Sequence, residues 1–154
     1  MLVHELEARS WKLVCAESCT GGLLSSWITA TPGSSAYFLG AVVSYANEVK
    51  HGVLRVSADT LASHGAVSEA CASEMAAGAL LALGGDLAIA ITGIAGPDGG
   101  SADKPVGTVH ICACDKSGRS LARAYRLTGN RQDVRERSCH AACLLALELM
   151  GQAG

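Results

Sequence analysis

The chain has 154 residues, 49% of them hydrophobic and 17% charged, with a formal net charge of −2. That length fits one domain over residues 1–154, since two separate cores would each bury too little surface. The near-neutral charge excludes the basic field by which a protein attracts nucleic acid.

The N-terminus has neither the charged nor the apolar region of an export signal, and the cysteines number seven, an odd count. Reduced thiols in a cytoplasmic protein are expected. The long uncharged stretch that includes 19–47 is interrupted by Thr20, Gly21, Gly22, Ser25, Ser26, Pro32 and Gly33. It cannot form one apolar membrane helix, so no membrane partner is expected.

In chain order, Lys12 to Ala16 reads as a short buried strand after a polar segment, and Thr20 to Thr31 as a helix with Leu23, Leu24, Trp27 and Ile28 at helical spacing. Tyr37 to Tyr45, rich in aromatic and β-branched residues, predicts a second strand, and Asn47 to Val53 a helical turn. Ser57 to His64 reads as a two-turn helix with Ser57 as N-cap and Gly65 beyond its end. Ser68 to Leu83 reads as a longer helix whose small residues imply close packing.

Asp86 to Thr92 predicts a strand covered on both faces, feeding the glycine-rich loop 93–100. Val106 to Cys114 and Ser120 to Leu127 form a predicted antiparallel hairpin across Asp115–Gly118. A last helix opens at Gly129-Asn130 and reaches about Met150, with Val134, Ala141, Leu145 and Leu149 inward. The order predicts an α/β fold, a three-layer α/β/α sandwich around a mixed, mostly parallel five-stranded sheet.

In such folds ligands gather outside the carboxyl ends of the parallel strands, and three unusual segments end strands here. Glu17-Ser-Cys-Thr-Gly-Gly22 leaves Ser18 near a helix N-terminus, where developing negative charge is stabilised. Capping by Ser18 or Thr20 explains the same residues without chemistry. Ser44-Tyr-Ala-Asn-Glu-Val-Lys50 supplies Tyr45 and Lys50, a phenol and an amine able to take a serine proton once the amine is desolvated. A lysine at a strand end is also an ordinary surface residue, and Lys50 is expected close to solvent.

Ile91 to Gly100 brings Thr92, Gly93 and Gly96 into a loop whose N–H groups can wrap a ribose or phosphate, although it matches no Walker or GxGxxG pattern. Arg131 opens the last helix and Arg135 follows one turn on; either can meet a phosphate or lie on a solvated face. The five histidines lack ligand spacing, so a zinc hydrolase is not expected. Cys112 with Cys114, and Cys139 with Cys143, read as small buried hydrophobes. Cys19 is the rival nucleophile, because helix N-termini also lower thiol pKa values.

Five ordered motifs together resemble the CinA C-terminal domain family: Ala-Glu-Ser-Cys-Thr-Gly-Gly (16–22), Ser-Tyr-Ala-Asn-Glu-Val-Lys (44–50), His-Gly-Ala-Val-Ser (64–68), Ile-Thr-Gly-Ile-Ala-Gly-Pro-Asp-Gly-Gly (91–100) and Lys-Pro-Val-Gly-Thr-Val (104–109). The resemblance implies an α/β/α fold with one strand antiparallel. It also implies hydrolysis of nicotinamide mononucleotide to nicotinate mononucleotide and ammonia, without metal or organic cofactor. On it, Ser18 is the nucleophile, Lys50 the general base, Tyr45 a partner in proton transfer and Thr92 a substrate-contacting or oxyanion-stabilising hydroxyl.

Arg131 corresponds to a phosphate-binding arginine, and backbone N–H groups from Cys19 through Thr20, Gly21 and Gly22 are expected to hold the oxyanion. The chain departs from the family pattern at Ala46, often serine, and at Asn130, often aspartate. Family domains are often fused behind a larger N-terminal domain resembling molybdopterin-binding proteins, whose activities are not expected here. A homodimer is expected. Two alternatives stay open: a nucleotide-binding regulatory module without turnover, and an amidase acting on another small amide.

Overall fold

The computed structural model describes residues 1–151. Five strands, β1 (Leu13–Glu17), β2 (Phe38–Val43), β3 (Leu87–Gly93), β4 (Thr108–Asp115) and β5 (Ser120–Arg126), form one sheet in the order β2-β1-β3-β4-β5. The helices are α1 (Leu2–Arg9), α2 (Leu23–Thr29), α3 (Asn47–Gly52), α4 (Ala58–Ser63), α5 (Glu69–Leu83) and α6 (Arg131–Gly151). β1 pairs in parallel with β2 and β3, whereas β4 is antiparallel to both β3 and β5. Four strands therefore point one way and β4 alone is reversed, so "mostly parallel" holds for strand direction but not for the pairings, which divide evenly.

Alternation along the strands builds two cores. One face presents Leu13, Cys15, Leu87, Ile89, Ile91, Val109, Ile111 and Ala113, which cluster with Leu6, Leu24, Leu145 and Leu149 of α1, α2 and α6. The other presents Val14, Ala16, Ala88, Ala90, Cys112 and Cys114 to Cys71, Ala72, Met75, Ala76 and Ala79 of α5. Small residues on both sides of this second interface bring α5 close to the sheet. Gly78 on α5 packs so tightly that a Cβ would lie 1.9 Å from the Leu54 carbonyl oxygen, just past α3.

Several boundaries shift for local reasons. α2 starts at Leu23 rather than Thr20, because Gly21 and Gly22 have φ of 57° and 96°, outside the helical region. α1 occupies the segment read as merely polar: only Leu2 and Leu6 of its eight residues are buried, so its apolar signal is one i, i+4 pair. In α6 the buried residue is Ala142, with Ala141 only half-buried. Ser57 and Ser68 are N-caps, accepting from the N–H of Thr60 and Cys71. Among the described residues no helix is long and apolar enough to cross a membrane.

Candidate active site

The parallel strands β1, β2 and β3 exit on one side of the sheet, and buried polar side chains collect there: Glu17, Ser18, Ser44, Lys50 and Thr92. Burying polar groups is costly unless they are hydrogen-bonded. Their partners therefore define the site.

β1 ends at Glu17, and the chain turns at Ser18, whose N–H donates to the Ile91 carbonyl at 3.0 Å. β2 is prolonged by Ser44 N–H donating to the Glu17 carbonyl at 2.8 Å, after which α3 turns Lys50 back over β1. The Lys50 Nζ lies 2.9 Å from Ser18 Oγ, 2.7 Å from the Ser44 carbonyl and 3.1 Å from the Tyr45 carbonyl. Lys50 is 1% exposed, which corrects the expectation of a lysine near solvent.

No carboxylate lies within ion-pair distance of Lys50 among the described residues. Burial lowers its pKa from 10.5, with the Cys71 and Cys19 thiols opposing that shift. Two carbonyls fix two of the amine's three tetrahedral directions. The third direction, an N–H when charged or a lone pair when neutral, meets Ser18.

Cys19 is buried, and desolvation raises its thiol to about 11 despite the opposing effects of its own backbone N–H, Lys50, Arg135 and Arg131. Near neutral pH it is a thiol, which removes the basis for its rival role as nucleophile. Its backbone N–H has no oxygen acceptor among the described residues.

Ser18, Cys19 and Lys50 open on a cleft of about 260 Å³, also lined by Tyr45, Asn47, Ala66, Val67, Thr92, Asp98, Arg131 and the loop from Gly93 to Gly96. Gly93 and Gly96 allow close approach here: a Cβ would lie 2.8 Å from the Thr108 carbonyl oxygen at Gly93, and 2.4 Å from Val106 Cγ1 at Gly96, whose φ is 81°. Arg131 reaches the cleft from the start of α6, donating to the Gly96 carbonyl at 2.7 Å and to the Tyr45 hydroxyl at 3.4 Å. Asn130 caps α6, accepting from Asp133 N–H at 3.0 Å while its own N–H donates to the Asp133 carboxylate at 2.8 Å.

Other expected roles meet different geometry. The Tyr45 side chain is exposed and its hydroxyl meets Arg131, so only its carbonyl touches Lys50. Thr92 lines the cleft, but its hydroxyl donates to the Ala66 carbonyl at 2.8 Å and has no second hydrogen for an oxyanion. Thr20, Gly21 and Gly22 shape the turn without lining the cleft: Gly21 N–H donates to the Ser18 carbonyl, Gly22 N–H to the Glu17 carboxylate, and the Thr20 hydroxyl is fully buried. Arg135 is spent on the Thr20 carbonyl at 2.8 Å and on Gln132.

Sequence reasoning passed over Asn47 and Asp98 as site residues, although both stand in segments it had singled out. It also passed over Glu17, whose fully buried carboxylate accepts from the N–H groups of Gly22 and Leu24 at 3.1 Å each, and from the N–H and hydroxyl of Ser25 at 2.9 and 2.6 Å. Its acidic type beside a candidate nucleophile was the available signal.

The family model of the CinA C-terminal domain matches residues 1–150. A protein from Enterobacter agglomerans named nicotinamide-nucleotide amidohydrolase PncC is 52% identical over 130 residues, covering 84% of this chain and 79% of that protein. A CinA-like protein of Mycobacterium marinum is 54% identical over 131 residues, 85% of this chain, and the chain spans about a third (31%) of that relative's length. Among solved structures, a CinA superfamily protein of Klebsiella pneumoniae superposes with TM-score 0.94 at 40% identity, covering 98% of this chain and 94% of that one. The Agrobacterium tumefaciens competence/damage inducible protein gives 0.93 at 38%, with 96% and 90% covered. The chain belongs to the CinA C-terminal domain family.

Proposed function

We propose that the chain is a serine amidohydrolase that converts nicotinamide mononucleotide and water to nicotinate mononucleotide and ammonia. The observation that carries this reading is the 2.9 Å contact between Ser18 Oγ and a buried Lys50 amine held by two carbonyls. The substrate is taken from the 52% identical relative named for that activity, of which this chain covers 79%.

In the mechanism, neutral Lys50 accepts the Ser18 proton as Oγ attacks the carboxamide carbon. The oxyanion forms beside the Cys19 N–H, the donor that directly follows the nucleophile. The lysine ammonium then returns its proton to the departing nitrogen, and ammonia leaves an acyl ester on Ser18. A water molecule, deprotonated by Lys50, cleaves that ester and releases the acid. In this reading Arg131, at the cleft edge, meets the substrate phosphate, and no step requires a cofactor.

The test is to incubate purified protein with nicotinamide mononucleotide and measure ammonia and nicotinate mononucleotide. Equimolar formation of both supports the reading. Tight binding without product would favour a regulatory module, and turnover only of other amides would reassign the substrate.

A further inference from the structure

We propose that Glu17 is the positioning residue of the nucleophile turn, its buried carboxylate tying the start of α2 to β1 so that Ser18 Oγ stays against Lys50. This inference rests on the reading of Ser18 and Lys50 given above.

The main chain of Glu17 is held on both sides, in register with Val43 of β2 and Ile91 of β3. Its side chain bends back to take Gly22, Leu24 and Ser25, closing a loop whose free members are Ser18, Cys19, Thr20 and Gly21. That loop contains the nucleophile, and its exit carries two glycines at positive φ, which confer freedom unless something removes it. Gly22, in the N-cap position of α2, has no capping side chain, so Glu17 does that work from five residues upstream.

Helix capping alone does not call for this arrangement. A serine or aspartate next to the helix satisfies the same N–H groups while staying in solvent, whereas a fully buried carboxylate must recover its lost hydration. No arginine or lysine pairs with Glu17 among the described residues, so four hydrogen bonds carry that burden. The rigid connection runs from the sheet interior, across the reacting residue, to the helix. Both carboxylate oxygens take part, which makes glutamine a conservative but imperfect replacement: its amide nitrogen would face an N–H where an oxygen is needed.

The experiment compares the full chain with Glu17→Gln and Ser25→Ala at a temperature well below each unfolding midpoint. It measures kcat and KM for nicotinamide mononucleotide and the rate at which a fluorophosphonate probe labels Ser18. For Glu17→Gln, kcat and the labelling rate should both fall about 100-fold, the effect of misplacing a reacting atom by roughly 1 Å, with KM within about twofold. Ser25→Ala, which keeps three of the four bonds, should repeat the pattern at about 3- to 10-fold. A folded Glu17→Gln with wild-type kcat and labelling overturns the inference, as do losses that only track the unfolded fraction. If Glu17→Gln does not fold, Ser25→Ala decides, and unchanged kcat and labelling in it overturn the inference. A wild type unlabelled at Ser18 overturns the underlying reading of the nucleophile, and the inference with it, a result distinct from a silent Glu17.

Discussion

Two neighbouring strand exits, of β1 and β3, line the cleft, and they are built on opposite plans. At the end of β1 most backbone donors are engaged inside the protein: Ser18 with Ile91, Gly21 with Ser18, and Gly22, Leu24 and Ser25 with Glu17, with the Cys19 N–H left over. At the end of β3 the loop around Pro97, Asp98, Gly99 and Gly100 is exposed, and Arg131 donates to the Gly96 carbonyl beside it. The contrast separates two tasks. On the proposed reading, reacting atoms are held by a dense network, while the groups that would choose a ligand stand on a loop with fewer internal ties.

Substitutions of the proposed reacting side chains should abolish chemistry, and those at the open side should weaken binding. The largest effect is expected for Ser18→Ala, with ammonia release falling by about 10⁴-fold or more while nucleotide affinity persists. Next, Lys50→Met should lower kcat by about 10³-fold through loss of the base. It should also cost about 1–3 kcal/mol in urea unfolding, because the Ser44 and Tyr45 carbonyls lose their donor.

The pH dependence tests the same lysine. Burial lowers its pKa from 10.5, so kcat/KM should rise with pH through a midpoint below 10.5 as the free amine forms. Between that midpoint and 10.5 the unfolded chain binds more protons at this site than the folded one, so stability should also rise with pH there. Lys50→Met should flatten that rise. A flat activity profile on its acid side would assign the base elsewhere.

On the open side, Arg131→Ala should raise KM for the mononucleotide by about 10-fold with kcat little changed, and matter much less for the phosphate-free nucleoside. A fall in kcat without a change in KM would erase the distinction between the two exits. The smallest effect is expected for Cys19→Ala, within about twofold in kcat, since a thiol raised to about 11 supplies no thiolate at neutral pH.

The fold was legible wherever burial leaves a continuous apolar run or a helix opens on a capping residue. β1, β3 and β4 are covered on both faces, and α4 and α5 begin at the serines that announce them. α1 was not, because one apolar pair at i, i+4 is too little pattern to separate from a polar segment. The proposed Ser18–Lys50 pair could be named from motifs, yet its burial could not. Lysine is usually solvated, and the burial of Lys50 depends on contacts with Ser18, 32 positions away. Glu17 escaped notice for a related reason, since a carboxylate reads as surface until its donors are known. Thr20, Gly21 and Gly22 show the reverse: glycines beside a candidate nucleophile suggest ligand contact, whereas here they let the backbone enter the left-handed region.

The contact between Gly78 and the Leu54 carbonyl lies outside the cleft lining. Leu54 follows Lys50 by four residues, and the Lys50 carbonyl accepts from Val56 N–H, so this segment is one short rigid piece. Adding even a methyl group at position 78 would push that piece outward, dragging the amine from the hydroxyl it serves. Tolerance to mutation should therefore be low at Gly78, a position on α5 outside the cleft lining, and the Ser18–Lys50 distance should depend on it.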